Sequence, residues 1–117
     1  MTLSVQNNRS ALTAFSNQMS VSANNVANVY SDDFKASRAR NSQGENGQVV
    51  TTITKDNRPG PLVEDPLQTD GSLKELSNTD IAEEMVQQVS ASQGFDANAK
   101  VIQTMDDTLG SLIDVMG

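Results

Sequence analysis

A chain of 117 residues has room for one small domain, or for an extended shape with little core. Only 3% of it is aromatic and Trp is absent, so its apolar surface is thin and aliphatic. A net charge of −7 on so little hydrophobic material leans toward partial disorder of the isolated chain. The lack of Cys excludes disulfides and thiolate metal sites, and the lack of His removes the commonest general base and metal ligand. No Sec-type signal pattern opens the chain, and no apolar run reaches bilayer-spanning length, so no membrane span is expected.

The charge is uneven: residues 1–40 carry a net of +2, residues 41–76 a net of −3 and residues 77–117 a net of −6. A mildly basic first arm beside an acidic last arm favours attraction between them, within one chain or between neighbours. Exposed pairs are worth only about 0–1 kcal/mol each, so charge aligns more than it stabilises.

In chain order, residues 3–29 are expected to form a helix. Val5, Leu12, Met19 and Val26 recur at seven-residue spacing, with Phe15 and Val29 at the complementary positions, and Asn8 and Ser22 interrupt the seam. Such spacing favours left-handed supercoiling against another helix. The seam is too weak to hold a lone helix in water, so the arm is expected to order only against a partner. Asn24, Asn25 and Asn28 mark the helix end, because Asn side chains bond nearby backbone. Phe34–Arg40 reads as extended or frayed. Its cations lack aromatic interleaving, in an acidic chain, so nucleic acid is not an expected partner.

The middle, residues 41–76, changes character. Residues 41–47 are polar and turn-rich, and residues 48–54 form the one convincing strand, which needs a hairpin partner or a neighbouring subunit. Arg58–Pro61 is a turn, Leu62 and Val63 are candidate strand residues, and Asp70-Gly71 is a further turn. Glu64, Asp65 and Asp70 do not match the spacing of a calcium loop.

Ser77–Met116 reads as one amphipathic helix, about 55–60 Å long at roughly 1.5 Å per residue. Ser77 and Asp80 stand at capping-box spacing, and Glu83 and Glu84 place negative charge where the helix dipole favours it. Ile81, Met85, Phe95, Ala99, Ile102, Leu109, Ile113 and Met116 form its stripe, widened by Val86, Val89, Met105 and Leu112. Nothing in so short a chain covers that stripe within a compact globule. The expected fold is mainly α: two long terminal helices pair as an antiparallel coiled-coil-like hairpin, with a short loop or β-hairpin middle. The divisions fall at 1–40, 41–76 and 77–117.

Both ends together resemble a known family. Ala23–Asn28 followed by Phe34-Lys35 is similar to the N-terminal signature of bacterial flagellar axial proteins, the rod, hook and hook-junction subunits. Ser77–Val86, Phe95–Thr104 and Leu109–Leu112 are similar to their C-terminal pattern. The likeness spans roughly residues 8–40 and 77–115, about two-thirds of the chain. Gln93-Gly94 stands where the family usually has a basic residue, and Asp33 where it commonly has Gly. The short middle, against the large β-domains of hook and distal-rod relatives, suggests a small rod-type subunit. The resemblance implies a structural protein with no cofactor. It implies export through the flagellar type III apparatus and assembly with itself and other axial proteins in the periplasmic axial structure of the basal body. The implied helix-pairing and assembly interface comprises Val5, Leu12, Phe15, Met19, Asn24, Asn25, Val26 and Asn28 of the first arm. On the second arm it comprises Ile81, Met85, Val89, Phe95, Asn98, Ala99, Ile102, Leu109, Leu112 and Ile113.

Further expectations come from single residues. Gly94 and Gly110 each cost about 1 kcal/mol inside a helix, which close helix approach, a bend where the tube curves, or plain tolerance of a weak point would explain. Asn98 is expected to bond Asn24 or Asn25 of the other arm, and Lys100 to pair with Asp96 at helical spacing. Asp106 and Asp107 are adjacent on a helix and point apart, a poor acid–base pair, so an enzyme is not expected. The competing class is a soluble coiled-coil adaptor or assembly regulator that forms a discrete oligomer.

Overall fold

Asp80 sets where the long C-terminal helix starts. Its extended backbone and its carboxylate, which accepts from the N–H groups of Ala82 (3.0 Å) and Glu83 (3.4 Å), satisfy donors that a helix start leaves free. The helix begins at Ile81, four residues later than expected, because Ser77–Asp80 are used otherwise. Ser77 accepts from the Thr79 N–H at 3.1 Å, and the Asn78 side chain is committed to the middle of the chain. The computed structural model describes the backbone of residues 2–117 and the side chains of residues 5–117.

The elements are α1 (Thr2–Ala27), β1 (Ser37–Gln43), β2 (Val49–Lys55), β3 (Leu62–Glu64), β4 (Leu73–Glu75) and α2 (Ile81–Met116). The helices run antiparallel, since Asn8 meets Met105, Phe15 meets Gly94 and Ser22 meets Glu84. At about 1.5 Å per residue they are roughly 39 and 54 Å long, and the molecule measures 81 × 24 × 16 Å. Its radius of gyration, 20.8 Å, exceeds the roughly 13 Å of a compact chain this long. No helix is long and apolar enough to cross a membrane among the described residues.

The strand expected at residues 48–54 finds its partner inside the chain. β1 pairs antiparallel with β2, Ser37 opposite Lys55 through Gln43 opposite Val49. Polar Ser37–Gln43 has little intrinsic strand preference, so the stretch read as frayed and loop-like is made a strand by its partners. β2 supplies the ladder. Helix α1 anchors the hairpin, where the Val49 N–H donates to Ser10 Oγ at 2.9 Å and the Asn7 amide to the Asn46 carbonyl. β3 and β4 form a second small hairpin, Leu62 opposite Glu75 and Glu64 opposite Leu73, in line with the strand reading of Leu62 and Val63.

The crossing between these pieces is tied by backbone and side chain together. The Asn78 amide donates to the carbonyls of Asp56 (2.8 Å) and Arg58 (2.9 Å) and accepts from the Ala36 N–H at 2.7 Å. Glu75 accepts from Lys35 Nζ and from the Gly60 N–H (2.8 Å). Gly60 sits so close to the Leu76 carbonyl oxygen that a Cβ there would lie 2.1 Å from it, so no other residue fits without moving the backbone. Asp33 has φ +60° and donates its N–H to the Glu75 carbonyl at 2.9 Å. The left-handed turn that favours Gly is therefore made here by Asp, which tolerates it better than most residues.

Lys35 and the Gly60 N–H hold the Glu75 carboxyl below its ordinary value. A carboxyl lowered by folding contributes stability above its unfolded value, about 4.3, and loses it as pH falls through the folded value. Acidification below about pH 4 is therefore expected to open this crossing, read as a smaller protection factor at the Gly60 amide once the intrinsic exchange rate at each pH is divided out. Protection that does not change down to the folded value would contradict the assignment.

Candidate assembly interface

Seven-residue spacing puts Glu84, Ala91, Asn98 and Met105 on the face of α2 that meets α1. The opposing face of α1 carries Asn8, Ala11, Phe15, Ser22 and Asn25. Among the described residues the buried apolar ones are all small: Ala11, Ala14, Ala36 and Ala91. The remaining buried residues among those described are polar, namely Ser22, Asn25, Ser77 and Glu84. The polar interruptions of the N-terminal seam, Asn8 and Ser22, are thus its contacts with α2 rather than gaps in it.

At the hub is Glu84, 1% exposed. One carboxylate oxygen accepts from the Asn25 amide at 3.0 Å and from the Arg38 guanidinium at 3.2 Å. Arg38 also pairs with Glu83 at 2.6 Å, and Ser22 Oγ donates to the Glu84 carbonyl at 3.1 Å. Asn25 reads the backbone of Ser37 in both directions, accepting from its N–H (2.9 Å) and donating to its carbonyl (2.8 Å). One clasp therefore fixes α1, β1 and α2 in a single register. No buried side-chain nitrogen or oxygen is left without a partner among the described residues.

Phe15 lies against Gly94, where a Cβ would come within 2.5 Å of the ring. Close approach accounts for Gly94, whereas nothing lies within 4 Å of a Cβ at Gly110. Asn98 does not reach Asn24 or Asn25. Its amide donates to the Gly94 carbonyl of its own helix at 2.8 Å, because the antiparallel register sets Asn25 opposite Glu84, four turns away. Lys100 and Asp96 form no ion pair among the described residues.

The expected interface residues divide into two sets. Val5, Leu12, Phe15, Met19, Val26, Asn28, Asn98 and Ile102 are half-buried, and Asn25 is buried. Asn24, Ile81, Met85, Val89, Phe95, Ala99, Leu109, Leu112 and Ile113 are exposed. The most apolar residues of α2's first turns face away from α1. Glu84, Arg38, Ser22 and Asn78, the residues that do the joining, were read only as dipole charge, a basic cluster, a seam gap and a cap. The seven-residue line through Glu84, Ala91, Asn98 and Met105 was the available signal.

Residues 69–115 match the family model described as flagellar basal body rod FlgEFG protein C-terminal. The match covers less than half of the chain, and over that stretch the chain is similar to the C-terminal region of flagellar basal body rod proteins. That family is structural, not enzymatic. No curated protein matches the chain.

Two outcomes check the interface. Gly94→Ala should weaken the fold in urea despite a gain of about 1 kcal/mol in helix propensity, while Gly110→Ala realises that gain. Equal stabilisation by both would contradict the close packing of Phe15. Arg38→Ala strands the buried Glu84 carboxylate and should cost about 3 kcal/mol, with loss of amide protection across β1 and β2. A cost near zero would remove the clasp's role.

Proposed function

We propose that this chain is an axial subunit of the flagellar rod, or of a rod- and hook-like segment, that polymerises through its paired N- and C-terminal helices. The observation that carries the reading is the exposure of aliphatic side chains along α2, combined with the rod C-terminal match over residues 69–115. Val86, Val89 and Met85 at one end and Leu112, Ile113 and Met116 at the other stay uncovered in one copy. Burying them between copies, at about 25 cal/mol per Å² of apolar surface, supplies order that a single chain lacks.

In this reading α1 and α2 are the two arms, which supercoil against each other inside the axial tube, and the hairpins between them decorate its outer wall. The thin core suits passage through the flagellar export apparatus as an unfolded chain. Net charge and seam polarity set alignment, and neighbours supply the stability.

Electron microscopy of the concentrated full chain should show open-ended fibres or tubes. Mass spectrometry of purified basal bodies should place the chain in the rod fraction. A discrete oligomer of fixed size, absent from that fraction, would instead support a coiled-coil adaptor or regulator and overturn the axial reading.

A further inference from the structure

Two hairpin turns carry a glycine directly after a side chain that can close on it. Asn46-Gly47 joins β1 to β2, Asp70-Gly71 joins β3 to β4, and both glycines have φ +79°. A glycine has no side chain to hinder its own backbone nitrogen, so that nitrogen reaches the side-chain carbonyl carbon before it most freely. The two steps differ in what that carbon carries. Asp70 is a carboxylate, a poor electrophile, and it accepts from the Ser72 N–H (3.0 Å) and hydroxyl, which push its carboxyl below the ordinary value. Asn46 carries a neutral amide, is exposed, and its side chain forms no hydrogen bond among the described residues. The amides of Asn25, Asn78 and Asn98 are all engaged, and none of these residues precedes a glycine.

Helix α1 holds this turn closed. The Gly47 N–H donates to the Gly44 carbonyl at 3.2 Å, and the Asn7 amide donates to the Asn46 carbonyl at 3.3 Å. The same Asn7 nitrogen lies 3.1 Å from where a Cβ of Gly47 would stand. A hydrogen-bonded turn keeps ψ of its third residue, here Asn46, near about 0°. That rotation turns the Gly47 nitrogen away from the Asn46 side chain. Ring closure requires the Asn46–Gly47 peptide to rotate out of the turn, and both bonds must open first. Both are at the long end of the hydrogen-bond range, and the turn is at the surface, so the opening is local.

We propose that Asn46 is a site of spontaneous deamidation, gated by α1 through Asn7. Hydroxide takes the Gly47 N–H proton, and the nitrogen forms a bond to Cγ of Asn46. The bond from Cγ to the side-chain nitrogen then breaks, and ammonia leaves with a proton from water. A water molecule opens the resulting five-membered imide at either carbonyl and leaves an aspartyl or isoaspartyl residue at position 46. The sum is one water in and one ammonia out, with no oxidation or reduction. Either product places a negative charge beside Glu45. The isoaspartyl form also adds a methylene to the backbone of a loop closed by the Gly44 N–H on the Gln48 carbonyl at 2.7 Å. The tip of the β1–β2 hairpin thus changes irreversibly with age, at a rate set by how often it leaves α1. This inference does not depend on the axial reading.

The full chain, incubated in warm, mildly alkaline buffer, tests this by peptide mass spectrometry, with enzymatic methylation counting isoaspartate. Conversion is expected at Asn46 ahead of every other Asn, with no isoaspartate at Asp70 and a rate that rises with hydroxide. Asn7→Ala should raise the rate about fivefold, the factor that one hydrogen bond of ordinary strength gives. Asn7→Asp, which keeps the shape but cannot donate, should act alike. Circular dichroism confirms that both variants keep their helices, and the chain unfolded in urea sets the upper limit of the rate. An Asn46 amide that survives in the folded chain while the unfolded chain converts overturns the site. Conversion of Asn57 or Asp70 as fast as Asn46 overturns it as well. A folded chain that converts as fast as the unfolded one, or a rate that neither Asn7 variant changes, overturns the gate.

Discussion

The structure depends on how little apolar volume the two helices place between them. Where α1 and α2 meet, the buried residues are alanine, serine and asparagine with one carboxylate at the hub, and Phe15 and Met105 are the large side chains at the contact. A net hydrogen bond contributes about 1 kcal/mol, and a buried ion pair often no more than well-packed apolar side chains would. The Glu84 clasp therefore specifies register more than it stabilises. Its geometry is strict because any slip of α1 along α2 would strand Glu84, Asn25 and the Ser37 backbone at once.

The same economy explains the outer surface. Small seam residues bring the helices close, and the large aliphatic residues of α2 are left for the opposite side. Met85, Val86 and Val89 point away from α1, while Glu84, on the neighbouring face of the same turns, is buried. A single chain thus keeps a defined shape with few buried side chains, and the large aliphatic side chains of α2 stay exposed. The crossing held by Asn78, Glu75 and Gly60 has a matching task. It returns the chain from the hairpins to the start of α2 beside the end of α1, so that both arms point along one axis.

Much of this was legible in the sequence, in proportion to how local its cause is. The helices, the strand at residues 48–54, the turns and the strand residues Leu62 and Val63 follow from spacing and propensity. β1 was not legible, because Ser37–Gln43 becomes a strand through Asn25, the β2 ladder and the anchoring of the hairpin on α1. The helix start was misplaced because Ser77, Asn78 and Asp80 are all good capping residues and only tertiary partners decide among them. Asn98 was assigned a partner from the other arm by residue type, without the register that sets it beside Gly94. The clasp was hidden for the same reason. A buried Glu in a first turn looks like dipole charge until the opposing helix supplies Asn25 and the hairpin supplies Arg38.

Native-state hydrogen exchange across α2, followed as a function of protein concentration, tests the central claim most directly. A thin, polar seam predicts moderate protection around Glu84–Met105 in dilute solution. It predicts little protection at Leu109–Met116, and a rise in both as copies associate. Uniformly strong protection along the whole helix, independent of concentration, would mean that one chain already holds all its order by itself.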